Sequence, residues 1–261
     1  MGAADYISRP YEAYIVKRRV QNIIALYEKQ KNLTAVLAEE VYERIKSQDR
    51  TVSILSQIVE FRNQESGLHV LHIQAVTEIL ANQLMHKTDK YGLNDSQISL
   101  IRMSSSLHDI GKITTPDSIL NKPGKLTPEE FEVVKTHCAA GAKMLGQLSN
   151  YQDDPIIKTA YDVCRWHHER FDGKGYPDGL IGDEIPISAQ IVAMADVYDA
   201  LTGVRCYKDS IPHERAVAMI LKGECGAFNP LLLDCLRELS DSLPQMLKEE
   251  SSGVFVKREL D

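Results

Sequence analysis

Apolar residues recur at intervals of three and four over most of this chain. Beyond Val52 the pattern is carried by Ile54, Leu55, Ile58 and Val59, by Ile98, Leu100 and Ile101, and by Ile156, Ile157, Ala160, Val163 and Cys164. That spacing lines one face of an α-helix, so the region is predicted to be a set of amphipathic helices. Glycine and proline gather between them, from Pro116 to Pro128 and from Gly173 to Pro186, where connectors belong. No stretch alternates apolar and polar residues long enough to predict a substantial sheet. Asp178-Gly179, with Ile181 and Ile185 beyond it, has the chemistry of one small hairpin. The predicted fold class is all-α.

The two ends read differently. From about Tyr11 to Ser47 there is no glycine or proline and helix formers dominate, which predicts one long helix. Val20, Ile23, Tyr27, Leu37, Val41 and Ile45 fall near a 3.5-residue period that Gln30 and Thr34 interrupt. Two readings stay open: an ordinary amphipathic helix, or a signalling helix that pairs with a second copy as a parallel coiled coil and makes a homodimer. Ahead of it, Gly2 to Tyr11 reads as a short strand, a turn at Arg9-Pro10 and the start of the helix. Past about Leu243 the text turns polar, and Glu249 to Gly253 is expected to fray. The expected organisation is therefore an N-terminal piece with a linker helix over residues 1–50, a main helical domain over 51–243 and a polar tail over 244–261.

Composition narrows the function classes. With 43% hydrophobic residues in 261, a sizeable core is within reach. A formal net charge of -7 argues against a protein that coats a nucleic acid polymer, which needs a basic face. It leaves room for a small phosphate ligand held by a few cations. The five cysteines show no Cys-x-x-Cys spacing and read as reduced thiols, so a cytoplasmic location is expected. No signal peptide and no apolar run of membrane-spanning length is present, so no membrane insertion is expected.

Metal-binding side chains recur at an even pace: Glu65 and His69, His108 and Asp109, His137, His167 and His168, and Asp196. Each falls in or beside a separate helical stretch, the way helical bundles assemble metal sites from facing helices. A lone histidine on an apolar helix is more often a core residue. An adjacent His-Asp followed by Gly111-Lys112, and an adjacent His-His followed by Glu169, are hard to explain as packing. Imidazole and carboxylate donors suit Fe, Mn, Zn, Co or Ni. Two adjacent pairs fit two ions better than one, with Asp109 the natural bridge because a carboxylate can give one oxygen to each. Asp196 is an acid inside an otherwise apolar helix, which favours a ligand role. Asp199 is either a supporting acid or an exposed one, Glu169 is expected to orient a ligand histidine, and Asp172 reads as a turn residue. His72, His86 and His213 are assigned no role.

These motifs, in this order, resemble the HD-GYP domain, a bacterial branch of the HD phosphohydrolase superfamily. The resemblance rests on Glu65-Ser66-Gly67-Leu68-His69, His108-Asp109-Ile110-Gly111-Lys112, His137, His167-His168-Glu169-Arg170-Phe171-Asp172-Gly173-Lys174-Gly175-Tyr176-Pro177, Asp196-Val197-Tyr198-Asp199-Ala200 and Arg205-Cys206-Tyr207-Lys208. It covers about Val52 to Leu239. It implies an HD-superfamily helical bundle, two or three divalent metal ions with Fe or Mn favoured, and hydrolysis of the second messenger cyclic di-GMP. It implies His108, Asp109, His137, His167, His168 and Asp196 as core metal ligands. Glu65 and His69 match the acid-and-histidine element of the three-metal branch, and Arg205 and Lys208 would hold the substrate phosphates. The family usually reads Arg-Pro-Tyr where this chain has Arg205-Cys206-Tyr207, which loosens that loop. The Gly175-Tyr176-Pro177 loop is linked in the family to docking with diguanylate cyclases. The first ten residues resemble the last strand and helix of a response-regulator receiver domain, with Arg9 where that family has lysine, which implies two-component signalling.

The chemistry follows from the substrate. A phosphodiester anion repels a nucleophile, and metal ions relieve this by making hydroxide available and by clamping the phosphate oxygens. No Ser-His-Asp or Cys-His arrangement competes. The expected reaction is in-line attack by a metal-bridging hydroxide with the ribose 3′-oxygen leaving, giving pGpG and, after a second round, GMP. Asp109 and Lys112 are the candidate catalytic residues, Lys112 as a cation for a phosphate oxygen or the leaving alkoxide. Tyr176 is a candidate to stack on a guanine or to contact a partner. Two alternatives stand beside this reading: another cyclic dinucleotide such as cyclic GMP-AMP as substrate, or a cyclic di-GMP sensor or interaction module of low turnover.

Overall fold

In the computed structural model, residues 12–62, 68–151, 153–203 and 210–251 are described. The opening strand and turn predicted at residues 2–11, and the candidate site residues Glu65, Arg205 and Lys208, lie outside the described residues. The chain divides into two compact units, the first ending at Thr51 and the second beginning at Val52.

The first unit holds most of α1 (Ala13–Phe61), and its apolar side chains, such as Leu26, Tyr27, Leu37 and Val41, are exposed. The helix does not stop near Ser47 as predicted, but continues to Phe61. The physical reason is in the text: residues 48–61 contain no glycine or proline to end it.

The second unit is built from α2 (Leu68–Lys87), α3 (Asp95–Ser105), a 3₁₀ turn at Ile110–Thr114, the short α4 (Asp117–Leu120), α5 (Pro128–Gly146), α6 (Pro155–Trp166), α7 (Ile187–Thr202), α8 (His213–Leu221), α9 (Pro230–Leu239) and α10 (Leu243–Ser251). Starts are written locally. Thr127 and Glu130 form a capping box ahead of α5, while Asp154 and Asn229 cap α6 and α9, each just before a proline. The core lies between α2 and α7, both buried on most sides, with Val76, Leu80, Ile191, Met194 and Leu236 enclosed in it. A helix apolar on most of its circumference belongs inside a bundle, and α2 packs on α3, α7, α9 and α10.

Two expectations change. The hairpin near Asp178-Gly179 reduces to a single bridge between Asp172 and Ile181, followed by a 3₁₀ turn at Gly182–Glu184. Ile181 is largely exposed, so no apolar face is available there for a ladder to bury. The polar segment after Leu243 opens with α10 rather than a tail: Leu243 is fully buried, and Met246 and Leu247, three and four residues on, pack against the same core.

Candidate metal centre

Five elements bring histidines and acids to one place beside the core. His69 stands in the first turn of α2, His137 in the middle of α5, and Asp196 and Asp199 on α7. The two adjacent pairs sit just where helices end. His108-Asp109 follows α3 and leads into the 3₁₀ turn, and His167 is the C-cap of α6, with His168 next. Neighbours inside an α-helix diverge by about 100°. Past the helix ends they converge: His108 Nε2 lies 3.2 Å from Asp109 Oδ2, and the His167 and His168 rings stand 4.1 Å apart.

Glycine makes the closest approach possible. A Cβ on Gly111 would lie 1.9 Å from the His137 carbonyl oxygen and 2.6 Å from the Gly141 nitrogen. Only a residue without a side chain lets the 3₁₀ turn rest on α5, which places His137 Nε2 3.2 Å from Asp109 Oδ1.

The donor atoms form two groups around Asp109. In one, His137, Cys138, His167 and His168 each offer an atom; in the other, Glu60, His69, His108 and Asp109 do, all within 4.8 Å of one another in each group. Asp109 Oδ1 faces His137 at 3.2 Å and His167 at 3.9 Å, while Oδ2 faces His108 at 3.2 Å and Lys112 at 2.5 Å. The carboxylate thus points one oxygen at each group.

The tautomers are set by the backbone. His108 Nδ1 donates to the Ser105 carbonyl at 2.8 Å, His137 Nδ1 to Val134 at 2.7 Å, and His167 Nδ1 to Val163 and Cys164 at 3.0 and 3.1 Å. A carbonyl only accepts, so Nδ1 carries the proton and a neutral ring presents a lone pair at Nε2. His137 Nε2 and His167 Nε2 then face each other at 3.4 Å. His108 Nε2 and Asp109 Oδ1 are buried without a hydrogen bond. Electron-rich atoms turned toward one another in a buried place are costly unless a cation lies among them. Donors sharing one ion at about 2.1 Å stand roughly 3.0–4.2 Å apart, and the His137–Asp109, His137–His167 and His108–Asp109 pairs, at 3.2, 3.4 and 3.2 Å, fall in that range. The residues present fit divalent cations.

For His137, His167 and His168 the electrostatics agree with that donor set, while the carboxylates around His108 and His69 favour their charged form, which a cation bound there would displace. Burial lowers the pKa of His137, holds His167 well below the imidazole range and takes His168 to about 4, so these rings are neutral near pH 7. Burial opposes charge on His108 too, but the Asp109 carboxylate overrides it and raises the pKa to about 10. Asp109 itself is held well below the carboxylate range, burial being outweighed by Lys112 and His108.

The remaining predicted residues fall at the rim or beside it. Lys112 pairs with Asp109, and its side chain is 17% exposed, enough to meet a ligand. Tyr176 lies over His168, with ring centroids 4.8 Å apart and planes at 31°. Gly175 packs on the backbone of Glu169 and Arg170, where a Cβ would meet Glu169 Cα at 2.4 Å, and so holds the loop down. Asp196 is half-buried and belongs to neither tight group, although its charge raises the basicity of His69, His108 and His168.

Several roles differ from expectation. Glu169 orients no histidine among the described contacts; it accepts the backbone N–H groups of Asp178, Gly179 and Leu180 at 2.7, 2.9 and 3.1 Å and ties the glycine loop. Asp199 is buried and supports His69, whose Nδ1 lies 2.5 Å from Oδ2, and also His72 at 3.1 Å from Oδ1, so His72 does have a part. Sequence reasoning missed Glu60 and Cys138. Cys138 Sγ lies 3.4 Å from His137 Nε2, and burial pushes its thiol pKa up. Its only signal was adjacency to His137.

Residues 54–228 match the family model described as HD domain, and this chain belongs to that family, in its HD-GYP branch. Among curated relatives, a probable cyclic di-GMP phosphodiesterase of Vibrio cholerae is 37% identical over 97% of this chain and 61% of its own length. The cyclic di-GMP phosphodiesterase response regulator RpfG of Xanthomonas campestris is 34% identical over 97% of this chain and 66% of its own length. The chain therefore spans less than two thirds of either relative. A solved cyclic GMP-AMP specific phosphodiesterase of V. cholerae shares the fold, with a TM-score of 0.55 and 16% identity, over 78% of this chain and 50% of that one.

Proposed function

We propose that this chain is a metal-dependent phosphodiesterase that hydrolyses cyclic di-GMP to pGpG, GMP or both. The observation that carries the reading is the pair of donor groups meeting at Asp109, with Lys112 held against the same carboxylate. His69, His108, Asp109, His137, His167, His168 and Asp196, with Glu65, are the residues that would hold two or three ions, Fe or Mn. Bound there, the ions supply Lewis acidity that eases ionisation of water and neutralises phosphate charge.

The chain's own residues do the rest. Asp109 fixes the Lys112 ammonium at the edge of the buried donors, where it can hold a phosphate oxygen or stabilise a departing alkoxide. Tyr176, over His168, offers a flat apolar wall to a guanine, and Arg205 and Lys208 would grip the outer phosphates. The buried histidine cluster excludes bulk water, which strengthens each of these interactions.

The N-terminal ten residues are read as the end of a receiver domain, residues 1–50 as its linker, and 51–243 as the hydrolase domain, in a cytoplasmic signalling protein. The apolar side chains exposed along α1 favour a homodimer through that helix, and the Gly175-Tyr176-Pro177 loop is the surface for a diguanylate cyclase.

The test is anaerobic purification, metal analysis, and incubation with cyclic di-GMP or cyclic GMP-AMP while products are followed by chromatography. Two to three metals per chain with pGpG or GMP formed, both lost in His108→Ala/Asp109→Ala, is the expected result. Turnover of cyclic GMP-AMP alone would move the substrate assignment. A metallated protein that binds cyclic di-GMP without product would make this a sensor.

A further inference from the structure

About two turns beyond His137, the end of α5 and the first half of α6 enclose a cavity of about 160 Å³ that opens to the surface. Leu145, Gly146, Ile157, Lys158, Tyr161 and Asp162 line it. Leu145 and Ile157 continue the small core built with Ala160 and Cys164, so the floor is apolar. α5 ends on Gly146, which has no side chain to fill the space. A Cβ there would stand 3.7 Å from Tyr161 Cε2, at ordinary contact distance. The Tyr161 ring is placed edge-on against Trp166, with centroids 5.9 Å apart and planes at 80°. An apolar cavity of about 150 Å³ takes one benzene ring, so the volume here suits a single ring or a short alkyl chain.

One wall is different. Asp162 makes no hydrogen bond or ion pair among the described residues, and burial pushes its pKa up to about 6 with no neighbouring cation to hold it down. Lys158, one turn earlier, does not supply that cation: its ammonium lies 3.1 Å from Asp153 and its side chain is 61% exposed. Near neutral pH Asp162 is therefore an ionised carboxylate, partly removed from water and unpaired. The cavity joins a ring-sized apolar space to one uncompensated negative charge. A phosphate ester would be repelled there, and a neutral hydrocarbon would leave the charge as it stands. An amine with an apolar body satisfies both walls.

We propose that this cavity is a binding site for a small organic monocation, an aryl- or alkylammonium about one ring in size, whose ammonium group pairs with Asp162. The apolar body lies against Leu145, Ile157 and Tyr161. α5 carries His137 and α6 runs into His167, so the occupant touches both helices that bring those two rings together. The site stands apart from the proposed reaction, because none of its lining residues belongs to the donor groups around Asp109.

The test titrates the whole chain near neutral pH with benzylamine, and separately with benzyl alcohol as its neutral counterpart, following amide NMR shifts. Benzylamine is expected to bind at least ~10-fold more tightly than the alcohol, with the shifts centred on the end of α5 and the first half of α6. Asp162→Asn is expected to abolish that preference while keeping the weak binding of the alcohol. Gly146→Leu, which fills the cavity, is expected to remove both. Circular dichroism checks that each variant is folded; if Gly146→Leu is not, Asp162→Asn decides. Equal binding of amine and alcohol by wild type would overturn the proposal, as would shifts that avoid these helices or a preference that survives in folded Asp162→Asn. Binding is read without turnover, so the outcome is independent of whether the chain hydrolyses cyclic di-GMP.

Discussion

Gly111→Ala isolates the packing that holds the metal centre together. The added Cβ would sit 1.9 Å from the His137 carbonyl oxygen, where ordinary contact begins at 3.4 Å, so the 3₁₀ turn and α5 must separate by about 1.5 Å (3.4 minus 1.9). The obstacle is backbone, which no rotamer change relieves, so the cost falls at the upper end of the overpacking range, about 3 kcal/mol. For a unit of this size that lowers Tm by roughly 6–12 °C. The same shift would carry His137 Nε2 from 3.2 Å to roughly 4.7 Å from Asp109 Oδ1, beyond the roughly 4.2 Å that two donors on one ion can span. Metal affinity should fall at least ~10-fold. Gly92→Ala is the control: φ is +59° but no atom lies within 4 Å of the added Cβ, so only backbone strain of about 1 kcal/mol is expected, with metal content intact. The assay is denaturant unfolding with and without Mn²⁺, together with metal analysis of both variants. A Gly111→Ala protein with the wild-type midpoint and wild-type metal content would refute the reasoning.

Other outcomes follow from single features. Glu169→Gln replaces one of two oxygens that together accept three N–H groups, so about 1–3 kcal/mol is lost and amide exchange at Asp178 to Leu180 quickens, while metal content holds. Asp162, half-buried beside Leu145, Ile157 and Tyr161, has its pKa raised by burial to about 6. The folded state then holds a proton that the unfolded state has released, so its contribution to stability falls as pH rises from about 4 through about 6. Asp162→Asn should therefore gain about 1 kcal/mol at pH 7, after discounting for solvent screening, and nothing below pH 4; equal gains at both pH values would contradict this. Chelation should lower Tm by roughly 6–12 °C, the loss of about 3 kcal/mol of ligand stabilisation, and Mn²⁺ should restore it; a chelated protein with unchanged Tm would deny the ions a part in holding these helices.

Local periodicity was enough to mark the main domain as helical, because spacing at three and four is a property of neighbouring residues, but it did not place the end of α1 or find α10. Connectors were legible for the same reason, as was the clustering of His108-Asp109 and His167-His168, whose meaning lies in adjacency. What depended on distant parts of the chain was not legible. Glu60 stands between two unremarkable residues, Val59 and Phe61, and nothing in the text says that Gln74 and Arg62 turn its face onto His69. Glu169 follows two candidate ligands, yet its carboxylate is taken by three backbone N–H groups of the loop that Gly175 folds back over it. Asp199 finds His69 and His72 across 130 and 127 residues of chain, a pairing set by how α2 lies on α7. The sequence by itself determined which side chains could bind metal. Tertiary structure alone decided which atoms face one another, because helix ends, glycine contacts and long-range clamps fix distances that a linear pattern does not contain.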